Sequence, residues 1–78
     1  MNYIAIFFTH SGAIKYKNFL SKNNIKFQLM PAPRKLSSNC SLSIKFSYSG
    51  IVNELISNDI EKLFKIEKGN YIALYCAK

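Results

Sequence analysis

The apolar positions along this chain fall into short groups with different spacing, and the spacing predicts alternating strands and helices. Tyr3 to Phe8 is an unbroken apolar run between polar residues, the pattern of a central strand covered on both faces. Thr9-His10-Ser11-Gly12 follows, where Ser11 can cap a helix starting near Gly12 or Ala13. Ala13, Tyr16, Phe19 and Leu20 then share one helical face, Lys15, Lys17, Asn18 and Lys22 take the others, and Asn23-Asn24 ends the helix. Lys26 to Met30 alternates as a strand, closed by Pro31 and Pro33, which cannot donate to a ladder. A polar loop from Arg34 to Asn39 leads to a half-buried strand, in which Leu42, Ile44 and Phe46 alternate with Ser41, Ser43, Lys45 and Ser47.

From Ser49 the spacing of Ile51, Val52, Leu55 and Ile56 predicts a second helix. That helix could continue through Ile60, Leu63 and Phe64. Asn58-Asp59 instead favours a break and a strand near residues 61–66, with Lys68-Gly69-Asn70 turning into a last strand from Tyr71 to Cys76. The order β-α-β-β-α-β with one added C-terminal strand is that of a ferredoxin-like split βαβ sandwich, a single domain over residues 1–78 with both helices on one face of an antiparallel sheet.

Such a sheet has an open face, and the first strand is apolar on both sides. If Ile4, Ile6 and Phe8 point to the helices, then Tyr3, Ala5 and Phe7 form an apolar patch on the open face. Met30 and Tyr71, Ala73 or Tyr75 would extend the patch, and Gln28 and Lys45 would rim it. A contiguous exposed patch of this kind predicts a homodimer through the open sheet face. The alternative is that the last strand or the C-terminal tail folds over it.

Composition narrows the class. With 49% hydrophobic residues and eleven Phe or Tyr among 78 positions, the chain can build a core and does not read as disordered. No run approaches the length of a membrane helix, and the start lacks a basic signal-peptide region, so a cytoplasmic protein is expected. Two cysteines, Cys40 and Cys76, make no disulfide framework, and with one histidine they are too few for a closed zinc site. No metal and no organic cofactor is expected.

The net charge is +7, and residues 1–50 hold seven bases and no acid, whereas residues 51–78 hold four of each. The N-terminal two-thirds should attract anions, unless the excess serves solubility alone.

The segment Pro33-Arg34-Lys35-Leu36-Ser37-Ser38-Asn39-Cys40 carries the candidate chemistry. In the expected topology the third strand descends between the first and second. The loop before it then lies at the end where the first strand stops and the first helix starts, with His10 and Ser11 on the same rim. A helix N-terminus stabilises negative charge. A thiol near one, with Arg34 and Lys35 in its own loop, should have a depressed pKa and more thiolate. Ser37, Ser38 and Asn39 can donate hydrogen bonds to a bound anion. Cys40 has a plainer reading as well. By alternation it shares a face with Leu42, Ile44 and Phe46 and would be the last core position of its strand. Cys76, near the end of the chain, is the weaker candidate.

These residues resemble a family of short bacterial proteins, the selenium/sulfur carrier protein-like family. Its pattern is similar to a strand, a Ser/Thr-bearing turn into a helix, and then Pro-x-Pro-Arg-x-hydrophobic-Ser-Ser-x-Cys-Gly before an apolar strand ending in Phe. Here the block reads Pro31-Ala32-Pro33-Arg34-Lys35-Leu36-Ser37-Ser38-Asn39-Cys40-Ser41, followed by Leu42 to Phe46, and the similarity spans roughly residues 3–66. Ser41 stands where the family has Gly. The resemblance implies a persulfide or perselenide held on Cys40, with Arg34, Ser37, Ser38, His10 and Ser11 in support. It implies a carrier or accessory that meets sulfur- or selenium-transfer proteins, more than a turnover enzyme.

Two other classes compete. One is an interaction or regulatory module in which Cys40 is structural. The other is nucleic-acid binding, prompted by the charge. It is disfavoured because the expected outward residues of the third strand, Ser41, Ser43, Lys45 and Ser47, include no aromatic for base stacking.

Overall fold

A computed structural model describes residues 1–36 and 42–77. Among them the chain forms strands β1 (Asn2–Phe7), β2 (Phe27–Pro31), β3 (Leu42–Ser47), β4 (Ile60–Glu67) and β5 (Asn70–Cys76), one α-helix, α1 (His10–Lys22), and two 3-10 turns, Arg34–Leu36 and Val52–Leu55. The strands make one open antiparallel sheet in the order β2-β3-β1-β4-β5. As expected, β3 lies between β1 and β2, the chain breaks near Asn58-Asp59, and a two-residue turn at Lys68-Gly69 leads into the last strand. Both turn residues have positive φ, 51° and 80°, the conformation that matches the twist of a tight hairpin and that glycine adopts at least cost.

The second helix does not form. The segment after Ser49 makes only the 3-10 turn Val52–Leu55, whose N-cap Ile51 offers no side-chain acceptor. Three β-branched residues (Ile51, Val52 and Ile56) and Gly50 give the segment poor helix propensity. A run this short before Asn58 also cannot repay the cost of nucleation. One turn is enough to put Leu55 into the core, where it is 6% exposed.

The two faces of β1 are the reverse of the arrangement considered above. Tyr3, Ala5 and Phe7 face α1 and form its core with Ala13, Tyr16, Leu20, Ile44, Phe46, Leu55, Ile60 and Leu63. Ile4 and Ile6 face the other side. Small Ala5 and Ala13 let helix and sheet approach, and aromatic rings fill the flanks. Phe7 lies 5.3 Å and Phe46 6.0 Å from Tyr16, and Tyr3 stacks on Phe46 at 5.5 Å. Phe8 lies beyond the strand and is exposed. On β3 the expected alternation holds for Leu42, Ile44 and Phe46, which pack on the α1 side.

Ile4 and Ile6 are nevertheless fully buried, because the chain after β2 crosses the open face. Leu36 packs on both, joined by Met30, Ala32, Phe64 and Ile66. The turn that presents Leu36 is closed by its amide donating to the Pro33 carbonyl at 2.9 Å. The apolar patch from which a dimer through this face was expected is therefore not composed of Tyr3, Ala5 and Phe7. The Ile4 and Ile6 that replace them have an intrachain cover from residues 32–36, not from the last strand or the tail.

If Leu36 is that cover, Leu36→Ala should cost about 2 kcal/mol or more. Ile51→Ala, at a position 66% exposed, should stay within about 0.5 kcal/mol. Urea unfolding of the two variants measures both, and equal midpoints would contradict the assignment.

Candidate functional site

The loop that carries the cysteine block starts and ends at the mouth of the β2–β3 pair. Pro31, the last residue of β2, pairs with Leu42, the first of β3, and Met30 pairs with Ser43. Ser43 is also opposite Ile6, next to the end of β1. The mouth therefore lies at the end of the sheet where β1 stops and α1 begins, as the topology argument expects. Ser43 holds it together. Its side chain is fully buried, and its hydroxyl lies 3.1 Å from the Met30 carbonyl and 3.3 Å from the Pro31 carbonyl, donating to this pair. Alternation had placed Ser43 outward. It faces the open side of the sheet, but that side is covered here, and a small hydroxyl with its own acceptors is tolerated where a larger polar group would not be.

Cys40, Ser37 and Ser38 lie outside the described residues. Of the other expected site residues, Arg34 opens the 3-10 turn, exposed, with Lys35 beside it. Because Leu36 of that turn packs on Ile4 and Ile6, the turn lies on the face opposite α1. Lys35 and Leu36 border a shallow hollow with Gly69, Asn70 and Tyr71 of the β4–β5 hairpin. His10 and Ser11 begin α1, both exposed. Arg34 and the His10–Ser11 pair thus belong to opposite layers of the fold, and Lys35 beside Arg34 borders the β4–β5 turn at the end of the sheet where β1 begins, away from the start of α1.

The helix start also differs from the sequence reading. Thr9, not Ser11, is the N-cap. It is extended at φ −140°, and its hydroxyl accepts from the Gly12 amide at 3.0 Å. α1 has no acid in its own first turn, but Asp59 from the segment before β4 lies against it. A Cβ built on Gly12 would stand 3.1 Å from the Asp59 Cβ and 3.3 Å from its Oδ1, so glycine permits this approach. The Asp59 carbonyl accepts from the Phe8 amide at 3.4 Å, and its carboxylate pairs with Lys15 at 3.6 Å. The carboxylate favoured at this positive helix end is thus Asp59 itself. No local sequence signal ties Asp59 to Gly12, which lies 47 positions earlier by numbering (59 − 12).

Beside Asp59, a half-open groove of about 360 Å³ runs between α1 and residues 54–59, lined mainly by Tyr16, Phe19, Leu55 and Ile56. It occupies part of the place a second helix would fill. Tyr16 forms its inner wall and donates a 2.8 Å hydrogen bond to the Leu55 carbonyl. Burial pushes the Tyr16 phenol well above its ordinary value of 10.0.

The family described as "Putative Se/S carrier protein-like" matches residues 2–64. The chain belongs to that family. The match runs from β1 through most of β4 and includes the whole cysteine block. It stops before β5, so the final strand lies outside the family match. No curated protein and no solved structure matches the chain. Cys76, in that last strand, is a free and exposed thiol whose Sγ lies 3.8 Å from the Ala77 carbonyl.

Tyr16→Phe should cost about 1 kcal/mol at neutral pH, because the Leu55 carbonyl loses its donor. The raised folded-state value also sets a pH dependence. The stability linked to the neutral phenol is intact below the unfolded chain's value of about 10 and is lost as the pH rises through the folded-state value. Urea midpoints followed from neutral to strongly alkaline pH should fall less steeply in Tyr16→Phe than in the natural chain.

Proposed function

We infer that this chain is a carrier or accessory in sulfur or selenium transfer, with Cys40 as the acceptor. The observation that carries the reading is the family match over residues 2–64, which contains the Pro-Arg…Ser-Ser-x-Cys block whole. The chemistry requires only a thiolate and a donor persulfide. The Cys40 thiolate attacks the outer sulfur of R–S–SH. The donor S–S bond breaks, Cys40 becomes S–SH, and the donor leaves as R–S⁻. An outer selenium would move in the same way. A reducing compartment such as the cytoplasm keeps the acceptor thiol free.

The described residues on either side of Cys40 suit a handover site. Ser43 and the Pro31–Leu42 pairing hold the mouth of the loop, and Leu36 fastens its first half to the sheet. Arg34 and Lys35 set two positive charges next to the segment, in a stretch with no acid before Glu54, which favours an anionic chalcogenide. With Asp59 at the start of α1, we assign the electrostatic support of Cys40 to these side chains more than to the helix end. We read the fold itself as a ferredoxin-like arrangement in which the second helix is reduced to the Val52–Leu55 turn and a hairpin strand is added. The cover over Ile4 and Ile6 leaves no aromatic platform on β1 or β3, which weighs against base stacking on the sheet.

Intact mass spectrometry after incubation with a cysteine desulfurase and cysteine tests the reading. One sulfur atom should be added to the natural chain and to Cys76→Ser, and none to Cys40→Ser. Equal addition to Cys40→Ser would overturn it.

A further inference from the structure

The sheet is open, so it has two edges, and the two are built differently. β2 is the shorter, five residues ending in Pro31, with Pro33 just beyond and Lys26 just before it. Prolines and lysines at an edge discourage another strand from adding there. β5 has seven residues, Asn70–Cys76, with no proline and no charge, and each position from Tyr71 to Cys76 is apolar. It has neither of these guards, and its one irregularity is a register shift that leaves Leu74 unpaired between Ala73 and Tyr75, beyond the regular stretch from Asn70 to Ala73.

Strand geometry shows what β5 offers. Glu67 and Asn70 flank the two-residue turn and form its closing pair, and Lys65 pairs with Ile72. Hydrogen-bonded and non-bonded pairs alternate along an antiparallel ladder. Asn70 and Ile72 therefore bond inward to β4, while Tyr71 and Ala73 turn their amides and carbonyls away from it. The side chains follow the same pattern. Leu63 belongs to the core under α1, and Lys65 with its partner Ile72 shares that side. α1 packs over β1, β2 and β3, and the segment in which a second helix was expected makes only the Val52–Leu55 turn. Ile72 is 42% exposed there, as is Leu74, which the register shift leaves unpaired.

We propose that β5 pairs with β5 of a second copy of this chain, joining two five-stranded sheets across a two-fold axis. A strand paired antiparallel to itself is self-complementary, so each chain supplies both the donors and the acceptors. Charge selects the same edge. Two chains of net charge +7 repel, but residues 51–78 carry four bases and four acids, so contact there meets the least repulsion. The pairing also makes Ile72 a cross-strand neighbour of apolar β5 residues of the second chain, which covers part of its surface. It is independent of the open face assigned above to Leu36 and of any chemistry at Cys40.

Sedimentation equilibrium of the full chain over a wide concentration range should show a mass rising from the 8.9 kDa of one chain toward twice that value. Ala73→Pro removes an amide that faces water in one chain and the partner strand in two. It should weaken association about tenfold or more, equivalent to about 1.4 kcal/mol, with the circular dichroism spectrum unchanged. Should that variant not fold, amide exchange on the natural chain decides: protection of Tyr71 and Ala73 should grow with concentration. A monomer at every concentration overturns the proposal. So does a dimer in which those two amides exchange freely or a folded Ala73→Pro dimerises undiminished.

Discussion

Burial of the second face of β1 is the constraint on which the rest of the structure depends. A central strand that is apolar at every position needs cover on both sides, and a helix layer supplies only one. The first side is satisfied in the ordinary way, by α1 and its aromatic cluster. The second leaves Ile4 and Ile6 needing a partner, and the chain supplies it from the segment after β2. Leu36 gains roughly 1.5–3 kcal/mol from that burial by the usual area relation, enough to hold a short turn against a sheet. The consequence for function is positional. A segment recruited to cover the sheet is the one that leads into the cysteine block, so the fold fastens that loop through an apolar contact, with Ser43 as the polar fastening at its other end.

Much of this architecture was legible in the chain, and the failures have physical causes. The five strands, the first helix and the break at Asn58-Asp59 follow from periodicity and turn chemistry, which are local. The parity of β1 does not, because Tyr3-Ala5-Phe7 and Ile4-Ile6-Phe8 are equally apolar and only packing chooses between them. The side that carries Tyr3, Ala5 and Phe7 joins one core with Ala13, Tyr16 and Leu20 of α1, a match between residues on different elements. The missing second helix had a correct apolar spacing but poor propensity and insufficient length. Spacing says which face would be buried if a helix formed, not that it forms.

The candidate site shows the same division. The mouth of the loop at the end of β1 and the start of α1 could be placed from topology alone. The two interactions that organise its surroundings could not. Ser43 looks like an outward polar residue until the open face is known to be covered, and Asp59 lies far along the chain from the helix end it serves. Thr9 in place of Ser11 as the cap is a smaller miss of another kind: either hydroxyl can accept from the first turn, and the choice follows from where β1 ends and the chain is still extended.

Asp59 also changes the electrostatic reading. A basic N-terminal region with an open helix end would gather anions in two places. Once Asp59 lies against Gly12 and pairs with Lys15, the helix end has its carboxylate, and the attraction of the N-terminal region for anions rests on its basic side chains, with Lys35 on the opposite layer among them. The acids thus do more than reduce the net charge. By their position in the last third of the chain they leave a basic N-terminal region and a charge-balanced C-terminal one that includes β5. The two adjoin, because Lys35 and Leu36 border a hollow with Gly69, Asn70 and Tyr71 at the start of β5, so a body paired along β5 and an anion drawn to Lys35 would meet at that hollow.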